Sequence, residues 1–340
     1  MWRETTQHER NRRIFAEELD SFLPDRILDF HVHIFNRGVV PEGEVFSCAG
    51  HPIEQYDLGD LERDLGELYP GRETRAVCFG IPHREFNREH NNEYVATVCG
   101  SERFPGLRLF DPENDTPESL EQDLACGRFL GLKPYLNYVT KTDPNQVEIH
   151  EMLPDWAMEV VDRYGLLVML HIPRKQRLAD PLNQAQLVAL CTRFPHAQIV
   201  LAHVGRAYYL RNVVGHLDAL RGLPNLYYDL AMLNNWPVLE YLFATVPADR
   251  VLYATDTPIA VAPGKSVEIN DQYTYVTPVP WSLSISDDHG KLVFTSFAYE
   301  ECRAIREAVR RLGLDDDFVA DLFWGNGTAL LEQVRGGRRH

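Results

Sequence analysis

Two histidines one residue apart open the chemistry of this chain: His31 and His33, in the run 27-ILDFHVHIF-35. Side chains alternate faces along a strand, so a His-x-His pair sets two imidazoles on one side, where both can bind one metal ion. In this phase Leu28, Phe30, Val32 and Ile34 face away into packing, while Asp29, His31 and His33 face together. An isolated pair of this kind is more often incidental than functional. Three further groups change that balance: His171 in 166-LLVMLHI-172, His203 in 198-QIVLAHV-204, and Asp256 at the end of 250-RVLYATD-256. Leu167 and Met169 share a face with His171, and Ile199 and Leu201 share one with His203. Taken singly, each histidine reads as a core or surface residue, and Asp256, inside ATDTP, as a turn or N-cap aspartate. Taken together at the ends of successive runs, they read as one metal site. Neutral imidazoles with a carboxylate suit one divalent ion, Zn²⁺ first and Mn²⁺ second, with room left for water or substrate.

Such a site needs strands that end on a common rim. Eight short apolar runs, at 27–35, 75–81, 106–110, 129–135, 166–172, 198–204, 225–231 and 250–256, alternate with amphipathic segments near 58–69, 88–99, 117–126, 149–164, 183–194, 208–221 and 237–246. The segments carry apolar residues at i, i+3 and i+4, the helical period. Parallel strands need long crossovers, so eight such units predict an α/β fold, a distorted (β/α)₈ TIM barrel. No Gly-x-Gly-x-x-Gly follows the first run, which argues against a dinucleotide-binding sheet. Barrel enzymes carry their chemistry at the C-terminal ends of the strands, where all the groups above fall. Residues 1–25 read as a helical arm ended by Pro24, and 26–340 as the barrel. Within the latter, 257–296, rich in Pro, Tyr and Ser, reads as an excursion over the barrel mouth, followed by two helices near 297–312 and 315–334.

The chain of 340 residues carries 50 Asp and Glu against 34 Lys and Arg, a formal charge of −16. That balance works against nucleic acid or an anionic membrane as partner. No apolar run approaches the roughly 20 residues of a membrane span. The Arg- and Glu-rich start lacks a secretion signal's apolar core, so the expectation is cytoplasmic. Six scattered cysteines with no C-x-x-C pair read as reduced thiols.

The ordered set DFHVH, LHIP, LAHVGR and YATDTP resembles the amidohydrolase superfamily, in its amidohydrolase-related (amidohydrolase 2) branch. That branch includes the aminocarboxymuconate semialdehyde decarboxylase and resorcylate decarboxylase types. The closing LFWGNGTALL is similar to the branch's terminal signature, although Ala329 or Leu330 stands where its Arg would be. The resemblance implies His31, His33, His171 and Asp256 as metal ligands, with His203 beside the metal as acid or base. A metal-bound water, its pKa lowered toward about 7, could pass its proton to Asp256, while His203 orients or protonates the reacting group. Lys133, in GLKPY, stays open between three roles. In binuclear members of the superfamily a lysine there is carbamylated and bridges two metals; in this branch it commonly binds substrate; a structural ion pair is the third.

Arg84, Arg174 and Arg206 follow the second, fifth and sixth runs. With Lys133 they would surround the metal with cations, and guanidinium forks match carboxylates, so a small anionic substrate is the reading. Pairing of these arginines with neighbouring acids is the alternative. Tyr135, Asn137, Asn234, Trp236 and His83 are further candidates for the wall, and His51 and Tyr56 for a loop closing over the mouth. The reading of first choice is a hydrolase of a C–N or C–O bond (amide, lactone or ester) in a carboxylate-bearing molecule. Non-oxidative decarboxylation of a small aromatic acid is second, and a catalytically silent binding barrel third. A homodimer is the default assembly.

Overall fold

The computed structural model describes residues 5–337. Eight parallel strands form its centre: β1 (Arg26–His33), β2 (Glu73–Phe79), β3 (Arg108–Phe110), β4 (Gly131–Pro134), β5 (Leu167–Leu170), β6 (Gln198–Leu201), β7 (Leu226–Asp229) and β8 (Val251–Leu252). β1 pairs with β2, and β3 to β8 make one sheet in sequential order. Backbone hydrogen bonds cross both seams between these sheets. At one, Phe30 N–H donates to Tyr253 O (3.0 Å), Asp256 N–H to His31 O (2.9 Å) and His33 N–H to Thr257 O (2.7 Å). At the other, Cys78 N–H donates to Pro105 O and Leu107 N–H to Cys78 O, both at 2.9 Å. The run of eight therefore returns on itself as a distorted (β/α)₈ barrel.

Outside it lie α2 (Leu58–Leu68), α3 (Arg88–Val98), α4 (Pro117–Ala125), α5 (Asp155–Arg163), α6 (Pro181–Arg193), α7 (Trp236–Thr245) and α8 (Phe297–Leu312), preceded by α1 (Thr5–Ile14) and followed by α9 (Asn326–Gly337). Asp57, Thr116, Asp180 and Ser296 cap α2, α4, α6 and α8 by accepting from first-turn amides, which satisfies donors with no helical partner. Two helical expectations are corrected. The segment 149–164 divides into Ile149–Met152 and α5, because Pro154 has no amide hydrogen to continue a helix. The segment 208–221 holds only a 3₁₀ turn, Leu210–Asn212, and otherwise turns, with Gly215 at φ 76°. Its buried Val213, Leu217 and Leu220 satisfy a helical period but pack without a helix.

Close approaches hold the strands in phase. Leu28 and Phe30 pack outward against α9, where a Cβ on Gly327 would come within 2.8 Å of Leu28. A Cβ on Gly131 would stand 2.0 Å from Leu167 O, so only glycine lets β4 and β5 meet here, two residues before Lys133. Asn326 Nδ2 donates to Ala248 O (2.8 Å) and Val251 O (2.9 Å), tying α9 to the start of β8. On the N-terminal side, Phe15 and Leu19 are buried and Glu18 accepts from Arg303 Nε of α8 at 3.0 Å. After β8 the chain forms a small sheet, β9 (Lys265–Ile269), β10 (Gln272–Thr277) and β11 (Ser284–Ser286). All six cysteines are free. Among the described residues no helix is long and apolar enough to cross a membrane.

Candidate metal centre and its cavity

The C-terminal ends of the strands bring the sequence candidates together. His31 and His33 leave β1, whose register against β2 shifts between Asp29 and Val32. Their Nε2 atoms lie 3.4 and 3.1 Å from Asp256 Oδ1, while His203 Nε2 lies 4.0 Å from Asp256 Oδ2. The donor atoms of His31, His203 and Asp256 all fall within 4.8 Å of one another. His171, from the end of β5, faces Tyr135 Oη through Nε2 at 3.4 Å, and its buried Nδ1 has no hydrogen-bond partner. Its ring centroid is 5.4 Å from that of His203.

The other edge of three rings is anchored. Nδ1 donates from His33 to Gly80 O (2.8 Å), from His203 to Ala231 O (2.9 Å) and from His31 to the Asp229 carboxylate (2.9 Å). Carbonyls only accept, so the proton of a neutral ring sits on Nδ1 and the Nε2 lone pair points at Asp256. Burial favours the neutral form of three rings: it pushes His31 and His171 well below the usual imidazole range and His203 down to about 4, against the pull of Asp256. Asp256 is itself below the ordinary carboxylate range. Burial works to raise it, but positive charge close by outweighs burial: a second proton on His33 or His203, which would face the carboxylate from Nε2, and the Lys133 ammonium. Lone pairs converging on a carboxylate repel unless a cation lies among them, so this donor set fits a divalent ion.

Local backbone geometry aims these groups. From His203 to Arg206 four successive residues are left-handed, with φ of 55°, 50°, 66° and 61°. Each L-residue there is disfavoured by roughly 1–2 kcal/mol. Asp229 offsets part of that, as its Oδ1 accepts from His203 N at 2.7 Å and from Ala231 N at 3.2 Å. Asp256 (φ 69°) and Met232 (φ 62°) are left-handed too. Glu301 of α8, itself fully buried, accepts through Oε2 from Met232 N at 3.1 Å.

Above the cluster is a cavity of about 290 Å³. It is lined by His31, His33, His171, His203 and Asp256, by Arg206 and Asn137, and by an aromatic wall of Tyr135, Tyr208, Tyr273, Tyr275, Trp281 and Phe46, with His83 at the edge. Tyr273 and Tyr275 alternate on β10, so one face of the excursion contributes both. The Asp256 side chain keeps 15 % exposure, enough for its carboxylate to meet a ligand.

Several substrate candidates stand elsewhere. Arg206 lines the cavity, donates to Ile172 O at 3.2 Å and makes no ion pair among the described residues. Arg174 does not line it: Asp180 holds its Nε at 2.9 Å and Gln146 O accepts at 3.1 Å. Arg84 is exposed and outside the wall. Trp236 packs under Arg311, whose guanidinium carbon is 4.3 Å from the ring centroid, and Asn234 binds Ser266 N and Phe297 O. His51 pairs with Cys48 in a short hairpin, and Tyr56 Oη donates to Asp64; neither lines the cavity. Lys133 is fully buried beneath the cluster, its Nζ 3.2 Å from His31 Nε2 and 4.6 Å from the Phe79 ring centre, with burial lowering it to about 8. Sequence reasoning missed Asp229, although a carboxylate near the end of the seventh run carried a signal like that of Asp256. It also missed the excursion's aromatics and Glu301, whose positions no strand phase announces.

The amidohydrolase family profile matches residues 29–332, and the chain belongs to that family. Among solved structures it resembles 5-carboxyvanillate decarboxylase from Sphingomonas paucimobilis (15% identity, 91% of this chain and 99% of that one, TM-score 0.52). It also resembles 2,6-dihydroxybenzoate decarboxylase complexed with 2,6-dihydroxybenzoate (15%, 91% and 99%, TM-score 0.52). A third is a zinc-bound amidohydrolase from Burkholderia multivorans (11%, 90% and 99%, TM-score 0.58). At these identities the likeness is one of fold. A search of curated proteins found no match.

Proposed function

We propose that the protein is a divalent-metal-dependent lyase that releases CO₂ from a small aromatic acid. The observation that carries this reading is the aromatic wall around Arg206. Six aromatic side chains bound a cavity of about 290 Å³ beside a guanidinium without a carboxylate partner among the described residues, which suits a single ring bearing a carboxylate. The two decarboxylases of similar fold support the choice. This order reverses the preference drawn from sequence, where hydrolysis stood first.

His31, His33, His171 and Asp256 would hold one ion, zinc before manganese, with His203 beside it on the Oδ2 side of Asp256. A divalent ion there supplies Lewis acidity toward substrate oxygens. Arg206 and Asn137 orient the substrate carboxylate, and the tyrosines hold the ring and exclude water. An anionic substrate beside Asp256 raises its proton affinity, so its carboxylate takes a proton from cavity water. The bond from ring carbon to carboxylate then breaks, its electron pair stays on the ring carbon, and that carbon receives the proton from Asp256. The balance is R–COO⁻ + H₂O → R–H + CO₂ + OH⁻, the hydroxide left by that water passing to solvent.

Hydrolysis of an amide, lactone or ester is the second reading. The observation in its favour is that Asp256 is ionised and keeps 15 % exposure beside the histidines, where an activated water could pass it a proton. Incubation of zinc- or manganese-loaded protein with hydroxybenzoates, and in parallel with aromatic amides and lactones, tests both. Loss of the substrate carboxyl signal with CO₂ release supports the lyase; ring-opened or amine products without CO₂ overturn it. Protein that retains no metal and turns over neither panel would be a binding barrel.

A further inference from the structure

Beyond the Tyr208–Tyr273 wall lies a second hollow of about 710 Å³, which shares Tyr273, Tyr275 and Leu283 with the metal cavity. Its chemistry differs from that of its neighbour. Arg177 leans on the wall, its guanidinium carbon 4.6 Å from the Tyr273 ring centre and 5.7 Å from that of Tyr208, and forms no ion pair among the described residues. Lys175, exposed two residues earlier, forms none either. Arg211 is the exception, being paired with Asp271 at 3.5 Å.

Two polar groups give the hollow direction. Asn212 is 97 % buried (3 % exposed), donates through Nδ2 to Gln176 O at 3.0 Å, and leaves Oδ1 without a partner. Gln184 Nε2 donates both to Leu178 O (3.0 Å) and to His216 Nδ1 (3.1 Å). In the neutral ring this leaves the hydrogen of His216 on Nε2 as a donor. Two uncommitted cations and an imidazole donor are thus gathered in a chain of charge −16.

We propose that this hollow is an anion-binding subsite for a phosphoryl or carboxylate group. Arg177 and Lys175 take the charge, and His216 Nε2–H donates to it. The group is either the far end of an extended substrate or a separate small anion. The subsite stands whichever reaction the metal cavity performs.

Calorimetric titration of inorganic phosphate into the metal-loaded protein, its Arg177→Gln variant and its Lys175→Glu variant tests the assignment. Removal of the Arg177 charge should weaken phosphate about tenfold, and the exposed Lys175→Glu change should weaken it several-fold while leaving the fold untouched. A benzoate carrying a phosphonate on a three-carbon tether separates the two sources. If the group belongs to the substrate, this probe binds more tightly than phosphate and loses its advantage in Arg177→Gln. If it is a separate anion, the probe gains nothing over phosphate, yet both still weaken in the variants. No phosphate binding by the wild type, or equal affinities in all three proteins, overturns the subsite.

Discussion

His31 on β1 and Asp229 on β7 meet through Nδ1 and Oδ2 at 2.9 Å, although β8 stands between their strands. Both side chains are buried, and burial pushes Asp229 up to about 7 against the amides of His203 and Ala231 and the charge of Lys133. One carboxylate thus fixes the ring of His31 and the backbone turn that carries His203.

Asp229→Asn keeps the size and an acceptor for the two amides but removes the anion facing His31. Metal affinity, measured by competition with a chromogenic chelator, should fall about 10–100-fold. Wild-type affinity in this variant would mean that Asp229 does not orient His31.

Chelation should lower the melting temperature, because an ion that binds only the folded state at a thousandfold excess over its Kd stabilises by about 4 kcal/mol. In His31→Ala most of this metal-dependent shift should vanish. In Asp256→Ala some metal should stay while turnover is lost, since in the proposed reaction that carboxylate also handles the proton. Near-normal turnover of Asp256→Ala would remove it from the chemistry.

Arg206→Lys keeps the charge but loses the fork and should raise KM with little change in folding, by about 2 kcal/mol or roughly thirtyfold in kcat/KM. Arg174→Lys should leave KM unchanged, since Asp180 already occupies that guanidinium. Equal effects in the two variants would refute this division.

Burial pushes Glu301 well above its ordinary 4.5, and the charges of Asp29, Asp229 and Asp256 push the same way. A carboxyl with a raised folded pKa contributes stability that is complete below 4.5 and is lost as pH climbs through the folded value. Glu301→Gln cannot ionise and escapes that loss. The melting temperature of Glu301→Gln minus that of wild type should therefore increase from pH 5 to pH 8. A difference independent of pH would show that Glu301 ionises normally.

Gly205→Ala puts a Cβ at φ 66° and within 3.1 Å of Ile172, Leu178 and Leu201. Denaturant unfolding should show a loss of more than about 1 kcal/mol. Turnover should fall as well, because His203 and Arg206 belong to the same turn. Unchanged stability would mean that the turn relaxes without loss.

The cluster itself was legible in sequence because strand geometry is local. A pleat sets His31 and His33 on one side, and a parallel barrel sends His171, His203 and Asp256 to one rim wherever the strands lie in the ring. Asp229 obeyed the same rule and was open to the same reading. The arginines were not separable in this way: Arg174 and Arg206 both lie shortly beyond strand ends, and what divides them is Asp180, a neighbour supplied by folding. The helical pattern of 208–221 failed because Val213, Leu217 and Leu220 bury equally well in turns, so apolar spacing there reported burial without reporting conformation. Tyr273 and Tyr275 lie on an excursion with no barrel phase, and only the packing of β10 against the mouth brings them into the wall of the cavity above the histidines. Local periodicity thus determined which residue types face the barrel axis. Long-range packing and ion pairing decided which cations stay free and which aromatics close the cavity, because those depend on neighbours far away in the chain.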